Sequence, residues 1–331
     1  MAEPAGERDR VLVTGASGFL GSAIANVFRD AGFAVRIMVR DTSPRTNISE
    51  EDEVVTGDLR EPATLAPAVR GVRYLVHAAA DYRLWAKRPA DLIESNVEGS
   101  RNIMRAALQE GVERIVYTSS VATITPGHDE TRPLSPEAAI GIYKRSKVLA
   151  ERAVEEMVER DGLPAIIVNP STPIGPRDVK PTPTGRVIVE AASGKMPGFV
   201  DTGLNLAHVD DVAQGHLLAL RHGRVGERYI LGGENVLLSR MLADIAAIVG
   251  RRPPSLRIPR LSVWPLAMAA EAVAQVTGRE PFVTRDALRM AAYKMFFDDS
   301  KARRELGYTS RPYGEGLTDA ISWFRQAGYL R

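Results

Sequence analysis

The sequence predicts an α/β protein in which a doubly wound parallel sheet is followed by a smaller, mostly helical C-terminal domain. Short apolar or β-branched runs alternate with longer helical patterns from the start, as at residues 10–14, 19–31 and 34–40. Such alternation is typical of βαβ units, whose right-handed crossovers place helices on both faces of a parallel sheet. The 331 residues, 44% of them hydrophobic, suffice to bury cores of this kind.

The alternation of strands and helices continues along the chain and then ends. Further strands are expected at 54–55, 74–77, 114–118 and 165–169, and long helices at 95–110 and 140–161. Proline-rich sequence after residue 169 suits neither a helix nor a central strand, so the domain is expected to change there. Since 206–231 resumes a helix-then-strand order, we assign 1–171 and 206–232 to the sheet domain and 172–205 and 233–331 to the cap.

Composition narrows the functional class to an enzyme or binding protein for small molecules. A net charge of +2, from 43 basic and 41 acidic residues, argues against a nucleic-acid partner. The absence of cysteine excludes disulfides and thiolate nucleophiles, and the five histidines show no spacing that suits a metal site, so no metal is expected. The first ten residues are polar and lack the apolar core of a secretory signal, which predicts a cytoplasmic protein.

The most apolar later stretch is Leu261–Thr277, which is interrupted by a proline and a glutamate. It is shorter than the ~20 apolar residues that a membrane-spanning helix needs. We therefore expect a helix packed within the cap. Because a helix carrying Trp264, Leu266 and Met268 could also lie at a lipid interface, peripheral membrane contact is the alternative.

A glycine-rich turn directly after the first strand predicts a dinucleotide site. Its glycines permit a tight turn, close approach of the backbone to a pyrophosphate, and close packing of the next helix on the sheet. A lone glycine triplet is a weak signal, but its place between the first strand and first helix of a βαβ unit strengthens it. The sheet is thus expected to be of the Rossmann type, with the pyrophosphate held by Gly15, Ser17, Gly18, Phe19, Leu20 and Gly21.

The end of the second strand predicts which nicotinamide cofactor is bound. Arg40 lies 19 residues beyond Gly21, where a carboxylate would bind the ribose 2′-hydroxyl of NAD and an arginine would suit the 2′-phosphate of NADP. Arg40 therefore favours NADP, with Arg45 as a second contact. NAD remains the alternative, because a shift of one residue would place Asp41 at the ribose and repel a phosphate.

Tyr143 and Lys147 are the candidate acid–base pair. They lie at i and i+4 in a predicted helix and so project from the same face. A phenol with an unperturbed pKa near ~10 is a poor acid–base group at neutral pH, and a neighbouring ammonium favours its ionised form. Tyr143 could then give a proton to a carbonyl oxygen during reduction, or take one from an alcohol during oxidation.

These motifs, with three others, resemble the extended short-chain dehydrogenases/reductases over nearly the whole chain. The glycine motif has the spaced form G-x-x-G-x-x-G, and it is accompanied by Gly57-Asp58-Leu59, His77-Ala78-Ala79-Ala80, Asn96-x-x-Gly99 and Tyr143-x-x-x-Lys147. The resemblance implies that Asp58 and Leu59 hold adenine and that residues 77–80, including Ala78, Ala79 and Ala80, run along the cofactor. From composition alone, His77 is equally well a buried histidine at a strand end.

The resemblance also implies the remaining site residues. Ser120 would hydrogen-bond the reacting oxygen, Lys147 would reach the nicotinamide ribose, and Pro170 and Ser171 would pass the nicotinamide. Thr118, also counted with the cofactor contacts, and Ser119 are expected to satisfy backbone groups at the strand end, although Ser119 and Ser120 differ by one residue only. Asn96 would either support the cofactor site or be a polar helix-packing residue. A homodimer through the helices 95–110 and 140–161 is the assembly that the resemblance suggests.

Several stretches are similar to a narrower group, the hopanoid-associated sugar epimerases, which are themselves similar to dihydroflavonol 4-reductases. These stretches lie at 82–85, 117–123, 169–176 and 208–212. Sugar-nucleotide dehydratases of the wider family carry Asp-Glu after the serine or threonine position, where this chain has Val121 and Ala122, so water elimination is not expected. The substrate-facing candidates follow strand ends on the ligand edge of the sheet and are Tyr82, Trp85, Thr172, Arg177 and Lys180, together with Ser120.

Two enzymatic hypotheses use the same three catalytic residues. One is an NADP-dependent carbonyl reductase of the dihydroflavonol-reductase type, and the other is a sugar or nucleotide-sugar epimerase that oxidises and re-reduces one carbon. Arg40 favours the reductase, whereas the similarity to the narrower group favours the epimerase. A dinucleotide sensor without catalysis would need neither Tyr143 nor Lys147, so their presence argues against it.

Overall fold

The computed structural model describes residues 9–278 and 280–330. Most of the polar N-terminal stretch, residues 1–8, lies outside the described residues. The strands are β1 Arg10–Thr14, β2 Ala34–Val39, β3 Glu53–Thr56, β4 Tyr74–His77, β5 Arg114–Thr118, β6 Ala165–Pro170, β7 Thr172–Ile174, β8 Gly198–Phe199, β9 Gly203–His208, β10 Arg228–Leu231, β11 Glu234–Leu237, β12 Leu256–Arg257 and β13 Lys294–Met295.

The helices are α1 Phe19–Asp30, α2 Leu65–Val69, α3 Pro89–Gln109, α4 Gly141–Asp161, α5 Pro183–Ala192, α6 Val209–His222, α7 Leu238–Ile248, α8 Trp264–Thr277, α9 Arg285–Met290, α10 Ser300–Leu306 and α11 Tyr313–Gln326. Short 3-10 turns at Pro62–Thr64, Val121–Thr123 and Arg260–Val263 connect them. Helix α3 begins six residues earlier than predicted because Pro89 occupies its first turn, where the missing N–H is not needed.

Seven strands form the predicted parallel sheet in the order β10-β6-β5-β4-β1-β2-β3. The strand order reverses between β1 and β4, and ligands bind at such a reversal, beyond the carboxyl ends of the strands. The predicted fold class, a doubly wound Rossmann-type sheet, is confirmed.

Both faces of this sheet are covered, as the near-continuous apolar sequence of its strands requires. Val13, Val76 and Val116 point into one buried core with α1 and α6, while the alternating Leu12 and Leu75 point into a second core with α3 and α4. Because α3 and α4 pack side by side, the predicted catalytic pair on α4 is held rigidly at the edge of the sheet.

The cap contains more β-structure than predicted. Strand β9 carries β11 on one side and β7 and β13 on the other, and β8 pairs with β12. The chain therefore returns to the central sheet at α6, and Leu206, which was expected to open that return, lies inside β9 in the cap sheet. Strands of two or three residues are too short to show an alternating pattern, which is why the cap was expected to be mostly helical.

The segment Leu261–Thr277 forms a helix as predicted, but the expectation that it is packed within the cap was wrong. Pro265 lies in the first turn of α8 and does not break it, and only Ala267 and Ala274 of the helix are buried. Leu266 and Val276 are 51% and 85% exposed. In the described part of the chain no helix is long and apolar enough to cross a membrane.

Candidate active site

The glycine turn after β1 is shaped so that a side chain would not fit. Gly15 has a φ of +78°, and a Cβ there would lie 2.8 Å from the backbone nitrogen of Ala79. A Cβ at Gly21 would lie 2.1 Å from the Gly15 carbonyl oxygen. Gly18 precedes α1 and gives it no side-chain cap. The N–H groups of the first turn are therefore available to an anion at the sheet edge, which suits a pyrophosphate.

His77 supports this turn by connecting three elements of the structure. Its ring nitrogens lie 2.8 Å from the Thr14 hydroxyl and 3.2 Å from the Ser100 hydroxyl, so that it connects β1, β4 and α3. Thr14 in turn accepts a hydrogen bond of 3.2 Å from the backbone N–H of Ala79. Burial lowers the pKa of His77 to about 3, and the charge of Lys147 acts in the same direction. His77 is therefore a neutral positioning residue.

Arg40 follows β2 at the same edge and is exposed. Hydrogen bonding to Arg60 lowers the pKa of Asp58, which follows β3, and the charge of Arg40 adds a small effect. Burial opposes the lowering of the pKa of Asp81, which follows β4, but hydrogen bonding to Arg83 outweighs it, again with a small effect of Arg40. Both carboxylates are committed elsewhere: Asp58 pairs with Arg60 at 2.6 Å and Asp81 with Arg83. Within the described residues the Arg40 side chain forms no ion pair or hydrogen bond of its own.

The loop after β3, which is expected to contact adenine, is fixed by α3. The Leu59 carbonyl accepts a hydrogen bond of 2.9 Å from Asn102, and Leu59 lies against Gly99, where a Cβ would be 3.1 Å from the leucine Cβ. Asn102 was not singled out by the sequence. The motif Asn96-x-x-Gly99 had indicated this helix face, and Gly99 is the member that makes room for Leu59.

Asn96 is a positioning residue in this structure. Its side chain accepts from the Asp81 N–H at 2.7 Å and donates to the Asp81 carbonyl and the Ser146 hydroxyl at 2.9 and 3.0 Å. Ser146 donates in turn to the Tyr143 carbonyl at 2.8 Å. The amide thus connects the loop after β4, along which the cofactor is expected, to the turn of α4 that carries Tyr143.

Tyr143 and Ser120 lie together at the carboxyl edge of β5. Burial raises the pKa of the Tyr143 phenol, and hydrogen bonding to Ser120 acts in the opposite direction. The Ser120 hydroxyl also accepts from the Ala122 N–H at 3.1 Å, which caps the 3-10 turn at Val121–Thr123 and fixes its position. The neighbouring Ser119 hydroxyl is buried and finds no partner among residues 9–278 and 280–330. The geometry therefore brings Ser120, rather than Ser119, beside the phenol.

Lys147 is buried one turn after Tyr143, and its ammonium donates to the Thr118 carbonyl at 2.9 Å. It also lies 5.4 Å from the centre of the Tyr117 ring. Burial lowers the pKa of Lys147 to about 8, while the negative charge of Glu151 raises it. The ammonium is directed at the strand end and burial dominates the phenol, so the expected effect of Lys147 on the pKa of Tyr143 stays a prediction.

Glu151 is another residue of the site that the sequence did not indicate, although it continues the Tyr143–Lys147 face by one more turn. It is 3% exposed and accepts from Thr123 at 2.9 Å and from Asn169 at 2.8 Å. Asn169 also donates to the Ser120 carbonyl at 3.1 Å, and the Thr123 hydroxyl, which shares its one proton between this carbonyl and Glu151, lies 2.8 Å from the same carbonyl. A buried network therefore runs from α4 to the backbone of Ser120 and holds the serine in place.

Thr118 corrects a second expectation. Its hydroxyl was expected to satisfy backbone groups, but it lies 3.0 Å from Nε2 of His216 on α6. Nδ1 of His216 lies 2.8 Å from the Val212 carbonyl, and burial lowers the pKa of His216 to about 4. Because the neutral ring donates from Nδ1 to that carbonyl, Nε2 accepts from Thr118. The Thr118 side chain thus points to α6, and only the backbone carbonyl of Thr118 accepts a hydrogen bond from Lys147.

The proline-rich loop after β6 lies against the glycine turn. Asn47 donates to the carbonyls of Gly18 and Arg177, at 3.4 and 3.0 Å, and so joins the two loops. Arg177 has a φ of 75° and pairs through its guanidinium with Asp210 on α6. Pro170 ends β6, and the Ser171 hydroxyl beside it is buried without a partner in the described chain. A buried hydroxyl without a partner at the expected nicotinamide position suits a ligand group.

The substrate-facing candidates separate into two groups. Tyr82 and Lys180 are exposed and Trp85 is half-buried, which leaves them able to contact a ligand, whereas Thr172 lies in β7 and Arg177 is engaged by Asp210. Partial burial raises the pKa of the Tyr82 phenol, and the charges of Asp178, Arg186 and Glu280, which sequence reasoning missed, also act on it. Arg186 donates to Glu280 at 2.9 Å, so these two charges near Tyr82 are paired.

Lys144 is a further residue that no sequence signal marked. It follows Tyr143, is 7% exposed, and its ammonium lies 3.7 Å from the sulfur of Met295 in the cap. Burial lowers the pKa of Lys144 to about 8.

Asp178 in the cap is also buried. Burial raises the pKa of Asp178 to about 6, although the N–H and the hydroxyl of Thr182 both donate to its carboxylate. Among the described residues no group of three or more His, Asp or Glu side chains could hold a metal ion.

The arrangement defines a dinucleotide-dependent enzyme of oxidoreductase or epimerase chemistry. The chain belongs to the NAD dependent epimerase/dehydratase family, whose model matches residues 11–232. A putative dihydroflavonol 4-reductase of Synechocystis sp. is 41% identical over 98% of this chain and 96% of its own length. Sterol demethylase protein B of Methylococcus capsulatus is 32% identical over 96% of this chain and 99% of its own.

A solved structure supports the same family. The crystal structure of gox2253 is 52% identical, covers 98% of this chain and 100% of that chain, and superposes with a TM-score of 0.88. The expected family and enzyme class are thereby confirmed. The cradle of Gly15 and Gly21 and the buried hydroxyl of Ser171 fit a nicotinamide dinucleotide, which supplies the hydride when bound.

Proposed function

We propose that this protein is an NADP-dependent oxidoreductase that reduces a carbonyl group of a small molecule, or oxidises the corresponding alcohol, in the manner of a dihydroflavonol reductase. The observation that carries the proposal is the uncommitted side chain of Arg40 at the end of β2. Its cationic neighbours Arg60 and Arg83 are neutralised by Asp58 and Asp81. Arg40 is thus available for a charge-assisted hydrogen bond to a 2′-phosphate.

The chain's own residues supply the proton chemistry of this reaction. The Tyr143 phenol, kept protonated by burial, gives its proton to the carbonyl oxygen as the carbonyl carbon is reduced. The Ser120 hydroxyl beside it hydrogen-bonds the same oxygen and helps to stabilise the developing negative charge. Lys147 stabilises the resulting phenolate by its positive charge and hydrogen-bonds the ribose of the cofactor.

The main alternative is a sugar or nucleotide-sugar epimerase, such as one associated with hopanoid synthesis. It is favoured by the family's description and by Asp41, which adjoins Arg40. An epimerase must retain its reduced cofactor until the hydride returns to the opposite face of the substrate carbon. It therefore gains nothing from binding the 2′-phosphate that distinguishes NADPH from NADH. A reductase must exchange its cofactor at every turnover. Water elimination has no support, since the buried Val121 and Ala122 follow Ser120.

The test follows deuterium from 4-deuterated NADPH into a panel of ketones and sugars, with nicotinamide absorbance and product stereochemistry recorded together. We expect one NADPH to be oxidised for each carbonyl reduced and one deuterium to appear on the new carbinol carbon. Tyr143→Phe is the control for non-enzymatic reduction. Inversion at a hydroxyl carbon without net oxidation of NADPH, by enzyme that retains NAD through purification, would overturn the reductase in favour of the epimerase.

A further inference from the structure

The outward face of α8 carries no charge in the described structure. Glu271 is the one charged residue of the helix, and it is turned inward, where it accepts from the backbone N–H and the guanidinium of Arg285 at 2.7 Å each. The other face is solvent-exposed and consists of Pro265, Leu266, Met268, Ala269, Ala272, Val273, Gln275 and Val276. A face of this kind is the reverse of an ordinary surface helix, whose polar side faces water.

Other exposed apolar side chains flank this helix in the sequence. Leu261, at 74% exposure, precedes the helix, and Phe282, also 74% exposed, follows it. Val273 and Val276 are 60% and 85% exposed. Large apolar side chains that are exposed singly are normal, whereas a contiguous set marks an interaction surface. We call the face of α8 with Leu261 and Phe282 the α8 surface.

The sequence around this surface is strongly basic. Residues 251–294 contain eight basic and three acidic residues, although the whole chain has a net charge of only +2. The three carboxylates are all paired: Glu271 with Arg285, Glu280 with Arg186, and Asp286 with Arg289. Within residues 251–294, therefore, every described carboxylate is paired, and a further carboxylate, that of Asp201, faces this region.

Basic side chains lie at the beginning of the helix. Arg257 and Arg260 line a shallow depression just before α8, together with Asp201, Ala291 and Ala292. Arg289 lies over the ring of Trp264, 5.7 Å from its centre, at the first residue of α8. Arg257 and Arg260 form no ion pair among the residues that the structure describes. Two guanidinium groups against one carboxylate, Asp201, leave the border of this apolar face with a net positive charge. An apolar face with a positive border matches a surface that is apolar below and anionic above.

We propose that the α8 surface docks on a lipid membrane that carries anionic headgroups, with α8 lying in the plane of the interface. At 14 residues the helix is about 21 Å long, which suits lying along a membrane and is too short to span its ~30 Å core. Leu266, Val273 and Val276 enter the boundary between headgroups and acyl chains. Arg257 and Arg260 remain at the level of the lipid phosphates.

Docking in this way would bring the cleft to the membrane. Phe282 is two residues from Glu280, which bonds Arg186 beside Tyr82 at the substrate side of the site. The Phe282 end of the α8 surface therefore lies near the charged pair that acts on Tyr82. An apolar substrate held in the membrane could then reach Tyr143 with little exposure to water. This consequence rests on the proposed function, whereas the docking itself does not.

The experiment is co-sedimentation of the full-length protein with vesicles of phosphatidylcholine alone or containing about 30% phosphatidylglycerol. The test variant is the triple substitution Leu266→Ser, Val273→Ser, Val276→Ser. The matched control replaces three exposed apolar residues elsewhere, Val54→Ser, Val225→Ser and Leu237→Ser. A second variant, Arg257→Gln with Arg260→Gln, tests the charge without changing the helix. Far-ultraviolet circular dichroism of every variant checks that it folds.

We expect the wild type and the control variant to sediment with anionic vesicles, and the α8 triple variant to lose at least about tenfold in vesicle affinity. The arginine variant, neutral vesicles and raised salt should each weaken binding. The proposal is overturned if the wild type stays in the supernatant, or if the triple variant binds as the wild type does. A wild-type dimer that becomes monomeric in the triple variant, without vesicle binding, would also overturn it, since a second copy would then cover α8.

Discussion

Helices α4 and α8 both depart from the rule that charged side chains are exposed and apolar ones are buried, in opposite directions. Helix α4 buries Lys147 and Glu151, which are 4% and 3% exposed, whereas α8 exposes Val273 and Val276. On α4 the departure is compensated inside the molecule, because Lys147 donates to the Thr118 carbonyl and Glu151 accepts from Asn169. On α8 no such compensation exists within the described residues.

The comparison shows how each kind of departure reports on function. A buried charge costs free energy unless it is hydrogen-bonded, so a bonded set at the sheet edge marks where chemistry needs it. An exposed apolar face costs little in the isolated chain, but it is stabilised only when a partner covers it. The first kind of site is complete in one chain, while the second needs a partner outside it.

The largest effect is expected at Tyr143, on the buried side of the comparison. Tyr143→Phe removes the transferable proton and should lower turnover by about 10²–10⁴-fold while leaving the dissociation constant of NADPH nearly unchanged. Turnover is measured by NADPH oxidation and binding by fluorescence titration, with Tyr74→Phe as the control at a strand far from the cleft edge. Retention of most of the activity would show that another group supplies the proton.

The buried charge of Glu151 should control the pH dependence. Because Lys147 must be protonated and has a pKa of about 8, activity should fall as pH rises through that value. The negative charge of Glu151 raises this pKa, so Glu151→Gln should move the alkaline limb of the kcat/KM profile to lower pH. Glu155→Gln, one turn further and paired with Arg228, is the control and should leave the limb in place. A loss of activity that is equal at every pH would mean that Glu151 acts only structurally.

Lys144 is a buried charge on α4 that has no carboxylate partner among the described residues, so its removal should stabilise the protein. We expect Lys144→Met to raise the free energy of unfolding at neutral pH by about 1–3 kcal/mol. The wild type should also gain stability as pH rises from about 8 towards 10.5, since the unfolded chain then binds the proton more strongly than the folded one. Chemical denaturation measures both, with the exposed Lys87→Met as the control. Destabilisation by Lys144→Met would show that the ammonium is compensated.

The smallest effect is expected on α8. Val273→Ala should change the free energy of unfolding by no more than about 0.5 kcal/mol, because the side chain is 60% exposed, whereas Val148→Ala on α4, where the side chain is 2% exposed, should cost about 1–3 kcal/mol. Chemical denaturation in the absence of lipid compares the two. Equal losses would mean that α8 is packed against the protein in solution, and they would weaken the contrast between the helices.

Local patterns explain why much of the site could be predicted from the sequence. The glycine turn is set by a few adjacent residues, and Tyr143 and Lys147 by helical spacing, so both were predicted with the correct elements. The contacts of Thr118 with His216 and of Glu151 with Asn169 join residues 98 and 18 positions apart. Such pairs depend on how helices dock on the sheet, which no local pattern encodes.

The cap was harder to predict for two physical reasons. Its strands β8, β12 and β13 have two residues each, too few for periodicity to show. Helix α8 is apolar enough to be interpreted as buried, but burial depends on a neighbouring element, and only Ala267 and Ala274 find one. Apolar composition predicts that a surface needs a partner, and not whether the partner belongs to the same chain.

The central claim is that Arg40 binds the 2′-phosphate of NADP, as suits an enzyme that exchanges its cofactor at every turnover. Parallel titration of NADPH and NADH tests this claim most directly. In the wild type NADPH should bind more tightly, by about the 1.5–3 kcal/mol of one charge-assisted hydrogen bond. Arg40→Ala should remove that preference by weakening NADPH alone, and Arg45→Ala should change it less. Equal affinities in the wild type, or a preference for NADH that Arg40→Ala leaves unaltered, would contradict the account. Either result would mean that Asp41 or the backbone, and not Arg40, binds the ribose.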